Sequence, residues 1–354
     1  MNNTIADLNQ KIDGEHNKLA ELHHVGKGME TAANDVFLLE NNKGLQPLEN
    51  EEIDHKGISP LVRKRLVAEN ISRYSLAEQP EYLLYIEDID SFEKLPKAIQ
   101  EHLEKHKKVL SNRATVRNEG RTWWRYSRPM HRELYHLPKI WCSYRSKDHA
   151  FILDETGGEY IGLTNTTVIF ETNSDISIKY VLALLNSKLL SFRYKSIGKQ
   201  TGSGVFEYVP NGVGKLPIPN IDMSAQQPFI ELVDRMLLLH VQLQEQRREF
   251  HETVSDRFDG IKITDKLEQF EQFPYKHFSA EVENQGFKIP VHRDGEWRNF
   301  FNKTKKQLSA IRERIERTDA EIDRLVYDLY GLIDEEIAMV KPSIRQNQRS
   351  RWRN

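Results

Sequence analysis

Between Gly198 and Gly204 the chain reads GKQTGSG, where glycines let the backbone approach a partner closely and Lys199, Gln200, Thr201 and Ser203 offer donors without bulk. A loop of that composition suits a polyanion. A second concentration of chemistry lies between Arg113 and Lys147: Arg117, Arg121, Arg125, Arg128, Arg132, Lys139 and Arg145 are opposed only by Glu119 and Glu133. Interleaved with these cations are Trp123, Trp124, Tyr126, Tyr135, Trp141 and Tyr144. Such cations neutralise phosphates, and such aromatics pack against a sugar or an unstacked base. The plainer reading is an Arg-rich solvated surface whose tryptophans fill an ordinary core.

Other constellations carry less. His102 and His106 stand four apart, a spacing that can chelate zinc, but Leu103 replaces the glutamate of a zinc-protease motif and no third ligand is evident. A solvated helix face is expected there. GKGMET and GKQTGSG both contain Gly-Lys without the spacing of a nucleotide-binding phosphate loop. Cys142, beside Trp141, reads as a packed thiol with no base to activate it. No strand-like run is followed by G-x-G-x-x-G, Asn220 follows Pro219 instead of preceding a Pro pair, and no Pro-Asp with a later Asp/Glu-x-Lys pair assembles a nuclease centre. The expectation is a chain that is not an enzyme on its own, with no catalytic residue, no metal and no cofactor.

Composition agrees with a globular chain. Of 354 residues, 38% are hydrophobic and 29% charged, with no run long enough to span a bilayer. One cysteine excludes a disulfide framework, and the Met-Asn-Asn-Thr start lacks signal-peptide architecture, so a cytoplasmic protein is expected. The formal charge of −2 argues against a generic polyanion binder, which leaves the distribution of charge as the informative feature.

The elements that must position these residues read as α+β. Residues 1–21 predict a short lead-in helix. Residues 36–39 and 82–86 read as strands around a loop-like GLQPLENEEIDHKGISP, and Pro96 opens a helix to about Asn112. Short strands follow to Phe170. Ser177 is placed to cap a helix whose Ile178, Val181, Leu182, Leu185 and Leu189 share one face, and an aromatic strand occupies 205–209. After Pro219, a candidate capping box at Ser224 and Gln227 starts a helix that runs to about Val254. A second long helix starts near Trp297, with Phe301, Thr304, Leu308, Ile311, Ile315, Thr318, Ile322, Leu325 and Leu329 in steps of three and four, the seam of an antiparallel hairpin or coiled coil. The organisation expected is a mixed domain over 22–220, a helical hairpin over 221–340 with a small docking insert at 259–296, and a basic, disordered tail over 341–354.

Taken in order, these segments resemble the TaqI-like specificity domain, the C-terminal target-recognition region of adenine-specific DNA methyltransferases and of restriction enzymes fused to them. The run ALLNSKLL, the glycine-rich loop, the aromatic strand and LPIP occur there in this order. GKGMETAANDVFLL resembles the family's opening motif, departing at Ala32 and Ala33, where a glycine is common. LPKIWCSYRSKDHAFILDE and YIGLTNTTVIF resemble the paired strands before its Asn-Thr turn, and RTDAEIDRLVYDLYGLIDEEI its closing helix. The resemblance covers about residues 22–340 and implies sequence-specific binding of double-stranded DNA for a restriction-modification system. The catalytic domain would then lie on a separate methyltransferase or restriction-methyltransferase polypeptide, which alone would bind S-adenosylmethionine and flip the adenine. Arg121, Arg125, Arg128, Lys139 and Arg145 are expected on phosphates and Asn34, Asn165, Lys199, Gln200 and Thr201 at base edges, with Lys27 and Trp123 completing the DNA-binding set. Phe206 and Tyr208 are expected to be packed. Two other readings compete: an inactive C-terminal fragment of a fused enzyme, and a helical adaptor that binds no DNA.

Overall fold

The computed structural model describes residues 4–39, 61–77, 81–202 and 204–341. The loop expected over 44–60, Ser203 and the tail beyond Lys341 lie outside the described residues. The chain divides into two compact units, one of Met1–Ile230 with Leu325–Asn354 and the other of Glu231–Arg324. Its class is α+β.

Among the described residues the first unit holds five sheets, two of them only pairs of short strands and three of them larger. The central one orders Phe151–Asp154, Lys139–Ser143, Thr166–Phe170 and His24–Lys27, every pair antiparallel. Ile140, Trp141 and Cys142 are buried in succession, as are Val168, Ile169 and Phe170, so apolar matter covers both faces. A second sheet orders Tyr160–Gly162, Val62–Leu66, Glu81–Leu84 and Leu38–Leu39, the first pair parallel. Gly28 lies where its backbone crosses the Leu163 and Gly162 carbonyls so closely that a β-carbon would collide with both. The third sheet joins Arg145–Ser146, Val205–Glu207 and Lys199–Thr201 in antiparallel fashion.

Ser177 does cap the helix Ile178–Leu185, its hydroxyl accepting from the Lys179 amide. The helix stops there instead of running on through Leu189. The Asn186 side chain turns to the edge of the strand Phe151–Asp154, bonding both the Phe151 amide and carbonyl, and Ser187 caps a second helix, Lys188–Ile197. An amide acting as a substitute strand thus breaks what periodicity reads as one helix. The expected strand at 36–39 is a helical turn, Asn34–Phe37, with only Leu38–Leu39 pairing. The lead-in helix, Ile5–Asp13, carries a reciprocal cap between Thr4 and Asp7 and buries Leu8 and Ile12.

The second unit is helical, crossed by the long helices Met223–Arg257 and Val291–Leu329. Asp222, not Ser224, caps the former, accepting from the Ala225 amide at 2.9 Å. Phe301, Thr304, Leu308, Thr318 and Ile322 are buried along the expected seam, while Ile311 and Ile315 are half-buried. Between the long helices lie Asp265–Glu268, a 3-10 turn and Tyr275–Asn284. Their apolar side chains complete a core in which Phe250 stacks on Phe270 and packs against Phe278 and Phe301. Glu271 is clamped between Arg247 and Arg312, so one buried carboxylate ties this insert to both helices.

Candidate nucleic-acid interface

The cation-rich sequence divides into two environments. From Arg113 to Arg132 the arginines other than exposed Arg117 meet carbonyls or carboxylates of the protein itself, and Arg121, Arg128 and Arg132 keep 43–47% of their side chains exposed. Buried Arg113 donates to the carbonyls of Leu110, Thr31, Trp123 and Arg125 at 2.6–2.9 Å, pinning the turn at Thr31 to the Arg-rich stretch of chain. Arg125 donates to the Glu87 carbonyl at 2.7 Å and to that of Ile89, and lies over the Trp124 ring. Glu87 is itself buried, and burial raises its carboxyl above the ordinary range against the opposing pull of the Tyr126 amide and Arg125. Arg128 meets Glu119 at 2.7 Å and Glu30 at 3.8 Å, Arg121 meets Glu119 at 3.8 Å, and Arg132 meets Asp88 at 3.0 Å. An open cleft of about 580 Å³ in this region is lined by acids and arginines together, Glu87 and Glu119 facing Arg121, Arg125 and Arg132.

Arg125 and Lys139 therefore do not stand as expected. Lys139 is 0% exposed, its ammonium 3.4 Å from Asp154, which also accepts from the Trp141 indole at 3.1 Å. Burial lowers the lysine's pKa while Asp154 works against that shift. Neither side chain offers a free cation to a phosphate. Trp123 is half-buried against Phe92, with the Lys107 ammonium 4.6 Å from its ring centre. Asn34 is exposed, but its side-chain oxygen accepts from the Thr31 hydroxyl at 2.5 Å. The side-chain oxygen of Asn165 is shielded from solvent without a hydrogen-bond partner among the described residues.

The second environment is the three-stranded sheet. Its register sets Lys199, Glu207 and Arg145 side by side in one row, because Glu207 pairs with Lys199 on one flank and with Arg145 on the other. Glu207 accepts Arg145 on Oε1 at 2.7 and 3.1 Å and Lys199 on Oε2 at 3.1 Å. These bonds hold its carboxyl below the usual carboxylate range. The carboxylate is 6% exposed, whereas Arg145 and Lys199 are 64% and 71% exposed. The acid is a root from which two cations reach outward.

Tyr144 lies beside the row, its ring centre 5.9 Å from the Arg145 guanidinium and 5.0 Å from the Lys27 ammonium. Four cations of the neighbourhood, Lys27, Arg145, exposed Lys147 and Lys199, accompany Glu207 and Asp148. At the tip, Gly202 and Gly204 take φ of +66° and +77°, and a β-carbon on either would meet nothing within 4 Å, so the hairpin end has open space around it. Alternation along the strand puts Lys199 and Thr201 on one face and Gln200 on the other. The three neighbours in sequence therefore do not form one reading surface.

Beneath the row the packing is aromatic. Tyr194 and Tyr208 stack with centroids 4.6 Å apart, and the Tyr194 hydroxyl donates to the Glu207 carbonyl at 2.6 Å. Phe206 and Tyr208 are buried. Tyr144 was among the interleaved aromatics of the sequence, whereas Glu207 escaped the sequence reading as a site residue; its signal was a lone carboxylate set between Phe206 and Tyr208 in the aromatic strand. Among the described residues no cluster of three or more His, Cys, Asp or Glu is placed to hold a metal, and no helix is long and apolar enough to cross a membrane.

Residues 63–218 match the TaqI-like C-terminal specificity domain, and residues 222–326 match a domain of unknown function, DUF8810. No curated protein matches the chain. Among solved structures, one similar to it is the Type IIL restriction-modification enzyme MmeI, solved in complex with DNA, at 11% identity and a TM-score of 0.46 over 83% of this chain. The match spans 36% of that enzyme's chain.

Proposed function

We propose that this chain recognises a specific sequence in duplex DNA for a restriction-modification system, a reading supported by the match of residues 63–218 to the TaqI-like C-terminal specificity domain. Target choice would be supplied here and methyl transfer or cleavage by a separate polypeptide, an adenine-specific methyltransferase or restriction-methyltransferase that holds S-adenosylmethionine. The observation that carries the reading is the row Lys199–Glu207–Arg145 beside the Lys27–Tyr144 pair, where two exposed cations project from a sheet that has an open glycine tip. Two of the sheet's three strands, Lys199–Thr201 and Val205–Glu207, form an antiparallel hairpin; a two-stranded ribbon is among the elements that a major groove admits, and projecting cations supply the salt-sensitive share of affinity.

Fluorescence-labelled duplex titrated with the full chain at several salt concentrations tests this. Affinity is expected to fall steeply with salt and to favour some sequences over scrambled competitor. No binding to any duplex leaves the helical-adaptor reading in its place, and binding without salt dependence removes the cation row as the carrier of affinity. For the partner, mapping methylated adenines in cells with and without this gene and its neighbour is expected to show one sequence context that disappears with this gene alone.

A further inference from the structure

The geometry around Arg145 asks for more than a phosphate partner. A phosphate needs only a charge, which a mobile lysine supplies. Arg145 is instead held through Nε and one terminal nitrogen on a single carboxylate oxygen, at 3.1 and 2.7 Å, by an acid that is almost wholly buried. That arrangement sets the plane of the guanidinium while 64% of the side chain stays exposed. Lys199 occupies the other carboxylate oxygen, so the acid's charge is offset on both sides and does not repel an approaching backbone. A planar donor fork of fixed orientation matches a pair of acceptors in one plane, and among bases only guanine presents two acceptors, N7 and O6, on its major-groove edge. Adenine offers an acceptor beside a donor and leaves one arm of the fork facing an amino group.

We infer that Arg145 reads a guanine in the major groove through O6 and N7 and that Glu207 is the positioning residue that orients it, an assignment that rests on the duplex-recognition reading above. Arg145 then belongs among the groups that choose the sequence, and Lys199 and Lys27 among those that hold the backbone. Tyr144 backs the guanidinium, limiting the directions in which it can swing.

The test is selection of binding sites from a randomised duplex library by the full chain and by the variants Arg145→Lys, Glu207→Gln and the two combined. The wild-type motif is expected to contain one G·C pair whose replacement weakens binding roughly 10- to 100-fold. Arg145→Lys keeps the charge on an exposed site, so the fold is retained; it is expected to relax that pair alone and to leave the salt dependence unchanged. Glu207→Gln is expected to relax the same pair in part, and the combined variant no further than Arg145→Lys, because the glutamate acts through the arginine. A motif unchanged in Arg145→Lys sinks the guanine assignment alone, as does uniform weakening across all sequences. Glu207→Gln that lowers only the melting temperature marks the row as an ordinary surface ion pair and overturns the positioning role. A wild-type chain that selects no motif brings down the duplex-recognition reading and this assignment with it.

Discussion

The Arg-rich segment from Arg113 to Arg132 and the edge sheet around Glu207 are both cationic in sequence, yet they differ in where the charge goes. In the first, Arg113 and Arg125 donate to backbone carbonyls, and Arg121, Arg128 and Arg132 are each opposed by Glu119, Glu30 or Asp88. In the second, one buried carboxylate anchors two exposed cations and leaves them projecting. A local count of positive residues therefore measures neither binding potential nor stability. What decides is how exposed each cation remains once its partner within the protein is met: 64% and 71% for Arg145 and Lys199 against 43–47% for Arg121, Arg128 and Arg132.

The sharpest way to break that contrast is to remove two buried cations, Arg113 and Lys139, and one projecting cation, Lys199. Arg113→Met withdraws a side-chain donor from four carbonyls and is expected to destabilise the fold by at least ~3 kcal/mol in denaturant unfolding. Lys139→Met, which strands Asp154 in the interior, is expected to cost about 3–5 kcal/mol. Lys199→Ala, on an exposed site, is expected to change stability by less than ~0.5 kcal/mol. Equal losses at all three would erase the distinction.

A pH scan sharpens it next. His149 lies under the edge sheet, packed on Tyr194 and Tyr208, and burial pushes its pKa down to about 3. His23 is pushed down to about 4 for the same reason. Because the unfolded chain binds these protons near pH 6.5 and the folded one does not, stability is complete above that pH. It falls as pH drops toward 4, by up to ~1.4 kcal/mol per unit for each histidine. The melting temperature followed from pH 7 to 4 checks this, and His149→Gln is expected to flatten the curve. A profile that rises on acidification contradicts the burial argument.

The smallest effect concerns the turn that Arg113 pins. Ala32 takes a φ of +52°, a conformation that suits glycine. Ala32→Gly relieves that strain and loosens the unfolded chain at once, so a net gain of roughly 0–1 kcal/mol is expected by thermal melting. A clear loss would show that the alanine methyl is held by favourable packing.

These contrasts also mark what the sequence reveals. The α+β class, the Ser177 cap and the two long helices are legible because caps and periodicity act over a few residues. The glycine tip is legible for the same reason. Asn186 breaks a helix by reaching Phe151, 35 residues away, and Arg113 finds Thr31 across 82. Lys139 is buried because strand register sets it opposite Asp154, and no local pattern announces that pairing. The row Lys199–Glu207–Arg145 depends likewise on the register of three strands. Charge and composition locate chemistry along the chain, whereas register decides which charges remain available.

The most direct measurement compares two triple variants of the full chain in salt-titrated duplex binding: Lys27, Arg145 and Lys199 all to Ala, and Arg121, Arg128 and Arg132 all to Ala. The first is expected to make the slope of log affinity against log salt shallower by roughly 2, at about 0.9 for each of the two phosphates that Lys27 and Lys199 no longer neutralise, and the second to leave that slope nearly unchanged. A shallower slope from the second triple, with the first unaltered, would place the DNA-facing charge on the Arg-rich segment and contradict it.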